Sequence, residues 1–392
     1  MGPVRRRNRG RELMSSAREP CIVGIALSEY PKAPDMSPFD HSMLAARRAL
    51  DDCGLSPQAV DGYCADDPIT MAEYLDIDYR WVSTVDTGGS MFEYHCARAA
   101  SAIRSGDCDT VLITYGSDEL SAKGRAIGTN MGAELFSPLL SYQAPFGPTL
   151  PSLYALFAQR HMYEFGTTSE QLAEIAVAMR YHAGMNPKAM YRDPITVDDV
   201  LASRMIADPL HLLDCCVISD GGGAVVMTTR ERAVDLKAPV VRVLGTGTAQ
   251  THWLNPTQAP SMATSAVAKA APAAFGSAGV TPADVNTLQT YDSYTITALM
   301  AIEDLGFCPK GDGGPFVEGG TLKLGGRLPT NTDGGALSAC HPGKRGIFLL
   351  IEATRQLRGE AGIAQVPDCR LAVACGVGGL LSNAGVVVLG RE

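Results

Sequence analysis

The chain has 392 residues, with 33 Lys and Arg against 42 Asp and Glu for a net charge of −9, and 46% of its residues are hydrophobic. That balance suits a globular protein with a substantial core and argues against nucleic acid as the main partner, because phosphate contacts are made chiefly by Lys and Arg. No apolar run reaches the roughly 18 residues a membrane helix needs and no secretory segment opens the chain, so a soluble, cytoplasmic protein without a membrane span is expected, its 11 scattered cysteines reduced.

In chain order, Met1–Pro20 is rich in Arg without apolar periodicity and reads as a disordered leader, residues 1–20. Cys21–Leu27 (CIVGIAL) then reads as a strand buried on both faces, since the apolar residues do not alternate. A helical pattern follows at Met43, Leu44, Ala46 and Leu50, and Thr110–Thr114 (TVLIT) reads as another buried strand. Leu120–Leu212 is richer in Met, Tyr and Pro, with a helix expected over Ser169–Arg180 behind a capping box of Thr168 and Gln171. It reads as an insertion covering a site. Cys215 and Cys216 read as small core residues. Further strands are expected at Ala224–Met227, Val240–Leu244, Leu371–Ala374 and Val386–Leu389, with an alanine-rich helix over Ala266–Ala274.

Two distant segments repeat a pattern. Gly54-Leu55-Ser56-Pro57-Gln58-Ala59-Val60-Asp61 matches Gly279-Val280-Thr281-Pro282-Ala283-Asp284-Val285-Asn286 in its Gly, aliphatic, Ser or Thr, Pro, Val and Asp or Asn. Each follows a strand and a helix, so Gly ends a helix and Pro opens a short turn in both. Strands alternating with helices twice over imply two similar α/β halves, residues 21–238 (with the insertion at about 120–212) and 239–392.

The repeat is accompanied by Ser219-Asp220-Gly221-Gly222, by Gly325–Gly335 (GGRLPTNTDGG) and by Gly376-Val377-Gly378-Gly379, each glycine motif weak alone but informative in this order. Together they resemble the thiolase superfamily, in particular its lipid-transfer-protein-like branch, from Cys21 to Gly390. The resemblance implies a five-layered αβαβα fold of two sheets with helices between, an inserted loop domain and a homodimer. It also implies a nucleophilic cysteine at the start of a buried helix. Counting back from Ser105-Gly106-Asp107 puts that position on Gly89, within Asp86-Thr87-Gly88-Gly89-Ser90. Cys96 falls inside the helix as a packed thiol, and Ser90 is a poor substitute nucleophile without an adjacent base. A family motif His-Asp-Cys-Phe aligns with Tyr291-Asp292-Ser293-Tyr294, where the phenol of Tyr291, and next that of Tyr294, can donate or take a proton. The family's Gly-His-Pro aligns with Cys340-His341-Pro342, and Cys375 falls where some thiolases carry an acid/base cysteine. Catalysis is therefore expected from Tyr291, His341, Tyr294 and Cys375, in a substrate and oxyanion pocket of Gly89, Ser90, Asp292, Cys340 and Gly378.

Without the cysteine no acyl-enzyme can form. A pocket that holds a coenzyme A thioester and stabilises its enolate still suits retro-aldol cleavage of a β-hydroxyacyl thioester. The chain resembles thiolase-like aldolases of steroid side-chain degradation, which also have glycine at this position and a Tyr-Asp pair. They work with a small zinc-ribbon/OB-fold partner, and their histidine motif differs from Cys340-His341-Pro342. A non-catalytic acyl-CoA- or lipid-binding subunit and a thiolase-type acyltransferase are the alternatives. The sequence contains no Walker, G-x-G-x-x-G or H-E-x-x-H motif, so neither a metal nor a cofactor is expected in this chain beyond coenzyme A as part of the substrate.

Overall fold

The computed structural model describes residues 18–123, 144–252 and 254–392. Its strands are β1 (Pro20–Leu27), β2 (Gly62–Cys64), β3 (Trp81–Ser83), β4 (Thr110–Ser117), β5 (Met205–Ala207), β6 (Leu210–His211), β7 (Gly221–Thr229), β8 (Val241–Gln250), β9 (Thr287–Thr290), β10 (Leu371–Gly378) and β11 (Asn383–Arg391). The helices of eight residues or more are α1 (Pro38–Cys53), α2 (Pro68–Leu75), α3 (Met91–Ser105), α4 (Leu150–Phe165), α5 (Ser169–Met185), α6 (Val267–Ala278), α7 (Thr295–Asp304) and α8 (Gly346–Arg358). All six apolar runs read as strands fall in strands, with Val240 just outside β8. β2, β3 and β9 escape the sequence reading because three or four residues make no recognisable run.

Most of the expected leader lies outside the described residues, but its end does not behave as one. Arg18 donates to the carbonyls of Ile103 and Cys108 and pairs with Asp109 at 2.8 Å, and Pro20 already belongs to β1. Arg18, Glu19 and Pro20 therefore belong to the fold rather than to a separate leader.

The strand order β3-β2-β4-β7-β1-β8-β11-β10-β9 contains the two halves side by side. β2 runs parallel to β4, β4 antiparallel to β7 and β7 antiparallel to β1. In the second half β9, β10, β11 and β8 repeat those directions in the same order. The halves meet through only two residue pairs, Cys21 with Arg242 and Ile22 with Val241. α1 covers one outer face and α6 the other, while α3 and α8 lie between and touch strands of both halves. This is the five-layered arrangement. It explains why α8 buries every residue from Gly346 to Thr354: a helix between two sheets has no solvent face.

The repeated segment performs the same work twice. Gly54 and Gly279 end α1 and α6 in the left-handed conformation, at φ +73° and +69°, and a short turn opens at Pro57 and at Pro282. Asp61 then accepts from the amides of Asp109 and Thr110 at the start of β4. Asn286 accepts from Arg370 and Leu371 at the start of β10, both at 2.9 Å. One side-chain oxygen thus satisfies the strand start that follows the crossover in each half.

The insertion joins the adjacent antiparallel strands β4 and β7, carrying α4, α5 and the β5–β6 hairpin. The expected capping box is present, with the Thr168 side chain accepting from the Gln171 amide and the Gln171 side chain accepting from the Thr168 amide. Asp220 of the Ser-Asp-Gly-Gly motif ties the insertion to the sheet. Its carboxylate accepts from the Leu120 and Ser121 amides and from the Ala33 amide across the strand gap.

Asn286→Ala should lower stability by about 1–3 kcal/mol, because two amides at the head of a buried strand lose their acceptor. Chemical denaturation checks this. An unchanged midpoint would show that the repeat's last residue has no structural task.

Candidate active site

β9 delivers the Tyr291-Asp292-Ser293-Tyr294 segment to the centre of the molecule. Asn331 holds the strand end like a neighbouring peptide: its side chain accepts from the Thr290 amide at 2.7 Å and donates to the Thr290 carbonyl at 2.8 Å. The Tyr291 amide donates to the Cys375 carbonyl at 2.9 Å, which fixes the ring's starting point.

His341 arrives on the loop before α8. Its amide donates to Ser219 Oγ at 2.9 Å, and its carbonyl accepts from the Ser219 amide. Arg345, wholly buried, donates to the Cys340 carbonyl at 2.6 Å and forms a two-pronged pair with Asp333. The Asp292 carboxylate accepts from the Ala336 and Leu337 amides at 2.8 and 3.2 Å and lies 3.9 Å from the Arg345 Nε. Burial pushes the Asp292 carboxyl up to about 6 against the pull of Arg345 and the two amides.

These anchors bring Tyr291 Oη to 2.8 Å from His341 Nε2, with the rings edge to face. A second, longer contact of 3.3 Å runs from Tyr291 Oη to the Gly343 carbonyl. Burial, with a smaller push from the Arg345 charge, lowers His341 to about 3, so the imidazole is neutral at physiological pH. Burial likewise drives the Tyr291 phenol well above its ordinary value. The resting pair is phenol and neutral imidazole.

Gly89 completes the convergence. It lies in the turn Gly88–Ser90 that opens α3. A Cβ added to it would fall on the edge of the Tyr291 ring and against the Val377 carbonyl. The tyrosine occupies the volume that a cysteine side chain at this position would need. Gly89, Tyr291 and His341, expected from separate motifs, therefore meet at one buried point.

The other expected residues take different places. Ser90 Oγ donates to Thr87, at 3.2 Å to the carbonyl and 3.1 Å to Oγ1, and has no base as a hydrogen-bond partner among the described residues. Gly378 gives room for the Thr87 carbonyl at the same turn. Cys340 Sγ is buried against Ser219 Oγ at 3.1 Å, and burial pushes its thiol up to about 12. Cys375 supports Tyr291 through its carbonyl, its thiol buried and driven up by desolvation. Tyr294 stacks on Tyr154 of the insertion at 4.4 Å and makes no side-chain hydrogen bond among the described residues. Cys215 and Cys216 are partly exposed, Cys215 packing on the edge of the main core; Cys215 bridges to Tyr294, and the Cys216 amide donates to the Ser293 carbonyl at 2.9 Å.

Sequence reasoning missed Arg345, Ser219, Tyr154 and Glu93. Glu93, one turn beyond Gly89, is fully buried with no hydrogen-bond partner for either oxygen among the described residues, and burial holds it protonated. Ser219 stands in the Ser-Asp-Gly-Gly motif, but the motif assigns it no role; the other three stand in no motif, and a buried Arg looks the same in sequence as an exposed one. Among the described residues no group of three or more His, Cys, Asp or Glu side chains is placed to hold a metal ion.

Comparison with known proteins adds to this geometry. Residues 247–391 match the family of thiolase C-terminal domain-like sequences. The chain is 35% identical over 357 residues to the steroid side-chain-cleaving aldolase of Thermomonospora curvata, spanning 87% of this chain and 90% of that protein. It is 32% identical over 392 residues to the acetyl-CoA acetyltransferase of Methanothermobacter thermautotrophicus, spanning 95% of this chain and all of the relative. A solved Ltp2-ChsH2(DUF35) aldolase superposes with a TM-score of 0.86 at 30% identity, covering 96% of this chain and 98% of that one.

Two outcomes follow from the crowding and the neutral imidazole. Gly89→Cys should remain unacylated by acetyl-CoA in intact-mass measurements and should melt at a lower temperature, because the new side chain meets the Tyr291 ring. An acyl adduct at residue 89 would contradict this. Between pH 6.5 and about 3 the unfolded chain protonates His341 while the folded chain does not, so this residue's contribution lowers stability as pH falls through that range. His341→Asn should flatten that part of the stability profile.

Proposed function

Because the chain belongs to the thiolase superfamily yet carries Gly89 at the nucleophile position, we propose that it is a carbon–carbon lyase, a retro-aldolase cleaving a β-hydroxyacyl-CoA thioester without a covalent enzyme intermediate. The observation that carries this reading is the Tyr291 ring lying over Gly89 with its hydroxyl on His341. A covalent thiolase needs a thiolate there. This chain offers a proton-transfer pair in its place. The acyltransferase reading, suggested by the name of one relative, lacks both the nucleophile and the space for one.

In the proposed reaction Tyr291 Oη accepts the proton of the substrate's β-hydroxyl as it passes its own to His341 Nε2. The electron pair of the O–H bond forms the new carbonyl, and the bond between the α and β carbons breaks. Its electrons become the enolate of the CoA thioester. The proton then returns through Tyr291 to the α carbon, leaving an aldehyde or ketone and a shortened acyl-CoA. Neutral resting partners suit this shuttle, since neither must first lose or gain a proton in a dry site. The imidazolium formed in passing is opposed by burial and favoured by the developing enolate. Asp292 and Arg345 hold the pair from behind through backbone contacts.

For the substrate we propose a bulky acyl group of steroid type, supported by the names of the relatives. A small zinc-ribbon/OB-fold partner completes the enzyme in this reading, supported by the two-component aldolase it superposes on. A homodimer is proposed on family likeness alone. No helix among the described residues is long and apolar enough to cross a membrane.

Tyr291→Phe should reduce cleavage by about 10²–10⁴-fold, the usual loss for one proton-transfer group, while binding of a CoA thioester is retained. Steady-state kinetics and calorimetry read the two effects. If the wild type with its partner binds thioesters but cleaves none of a broad β-hydroxyacyl-CoA panel, the chain is a binding subunit.

A further inference from the structure

The loop that carries His341 belongs to the C-terminal half, but a tyrosine of the N-terminal half shapes it. We propose that Tyr115 is a positioning residue: its hydroxyl builds the turn at Gly343 and thereby sets the alignment of Tyr291 with His341. The kinetic part of this inference rests on the lyase reading above, and its structural part does not.

Tyr115 lies on β4 with its side chain buried. Its hydroxyl donates to the Pro342 carbonyl and accepts from the Lys344 amide at 3.1 Å. The Lys344 amide also donates to the Pro342 carbonyl at 3.0 Å, closing a three-residue turn around Gly343 at φ +80°. Such i to i+2 turns with a left-handed centre are rare and strained, and they persist where the surroundings hold them. At this turn the phenol is such a group, with the Glu119 carboxylate beside it. A Cβ placed on Gly343 would sit 3.4 Å from Tyr115 Oη, so the turn wraps that oxygen directly.

The outward side of the turn meets the reaction. The Gly343 carbonyl is the second acceptor of Tyr291 Oη, and His341 lies two residues earlier. Ser219 and Arg345 secure His341 and Cys340. The hydroxyls of Tyr115 and Tyr291 reach the backbone of Pro342–Lys344 from other elements. The Lys344 side chain pairs with Asp66 and Asp86, each at 3.2 Å, but both acids are at least half exposed, where such pairs hold little. The Tyr115 ring is separately held by Phe92, edge to face at 5.1 Å, so removing the hydroxyl leaves the packing in place.

Tyr115→Phe is compared with Tyr63→Phe in the full chain. Tyr63, on the neighbouring strand β2, shares an equally buried hydrogen bond with Thr114 Oγ1 at 2.6 Å but packs in a core cluster apart from the one that holds Tyr291. Both variants should melt earlier. Tyr115→Phe alone should lower kcat for β-hydroxyacyl-CoA cleavage, by about 10²-fold as for an ångström-scale misalignment, with KM unchanged. It alone should also shift the imidazole ¹⁵N resonances of His341, assigned by their absence in His341→Ala. Wild-type kcat with unshifted resonances in Tyr115→Phe, or equal losses in Tyr63→Phe, would overturn the proposal. If the wild type cleaves no β-hydroxyacyl-CoA, the lyase reading falls, and the nitrogen resonances alone decide whether Tyr115 positions His341.

Discussion

The contact of the Tyr291 ring with the bare backbone of Gly89 is the constraint on which the site depends. Two departures from the family pattern, a missing cysteine and a histidine replaced by tyrosine, are one structural event. The glycine makes room for the ring, and the ring closes the space a nucleophile would use. With the ring in that place the phenol reaches His341, and the site pairs a phenol with an imidazole where a thiolate would stand. A cysteine restored at residue 89 would meet the Tyr291 ring.

Holding two neutral, buried proton carriers 2.8 Å apart requires a rigid frame, and the fold supplies it from both halves. Ser219 and Tyr115 come from the first half, while Arg345, Asp292 and Asn331 come from the second. The Arg345 guanidinium has no solvent exposure and pairs with Asp333. Breaking such a buried pair costs about 3–5 kcal/mol, which leaves the loop little freedom to adopt a second arrangement. The middle layer of α3 and α8 is where the halves touch, and the N-termini of both helices lie at the site. The repeat therefore does more than enlarge the core: it places two related helix starts together at the Tyr291–His341 pair.

Much of this was legible in the sequence because it rests on backbone geometry. The repeated Gly and Pro mark helix ends and turns that only those residues make readily, and Asp61 and Asn286 stand at the same offset in both copies. Gly89, Tyr291 and His341 were reachable by motif position. What the sequence could not reveal is side-chain destination. Cys216 sits in an apolar stretch and reads as core, yet it is partly exposed and its amide donates to the Ser293 carbonyl beside the site. Asp292 and Cys340 read as pocket residues because they flank reactive neighbours, but alternation along the chain turns them behind the loop. Arg345 and Glu93 are buried charge-bearing groups whose solvent exclusion follows from the second sheet, which no local pattern encodes.

The central claim is cleavage without acyl transfer to the protein, and the fate of the thioester bond tests it most directly. A β-hydroxyacyl-CoA substrate carrying isotopically labelled coenzyme A would be turned over in excess unlabelled free coenzyme A, and the product thioester examined by mass spectrometry. In a retro-aldol reaction the acyl carbon never leaves its sulfur, so the shortened acyl-CoA should retain the label completely. Unlabelled coenzyme A in an acyl product formed at the rate of turnover would mean that the acyl group passed through an enzyme-bound or directly thiolysed intermediate, which contradicts cleavage by proton transfer alone.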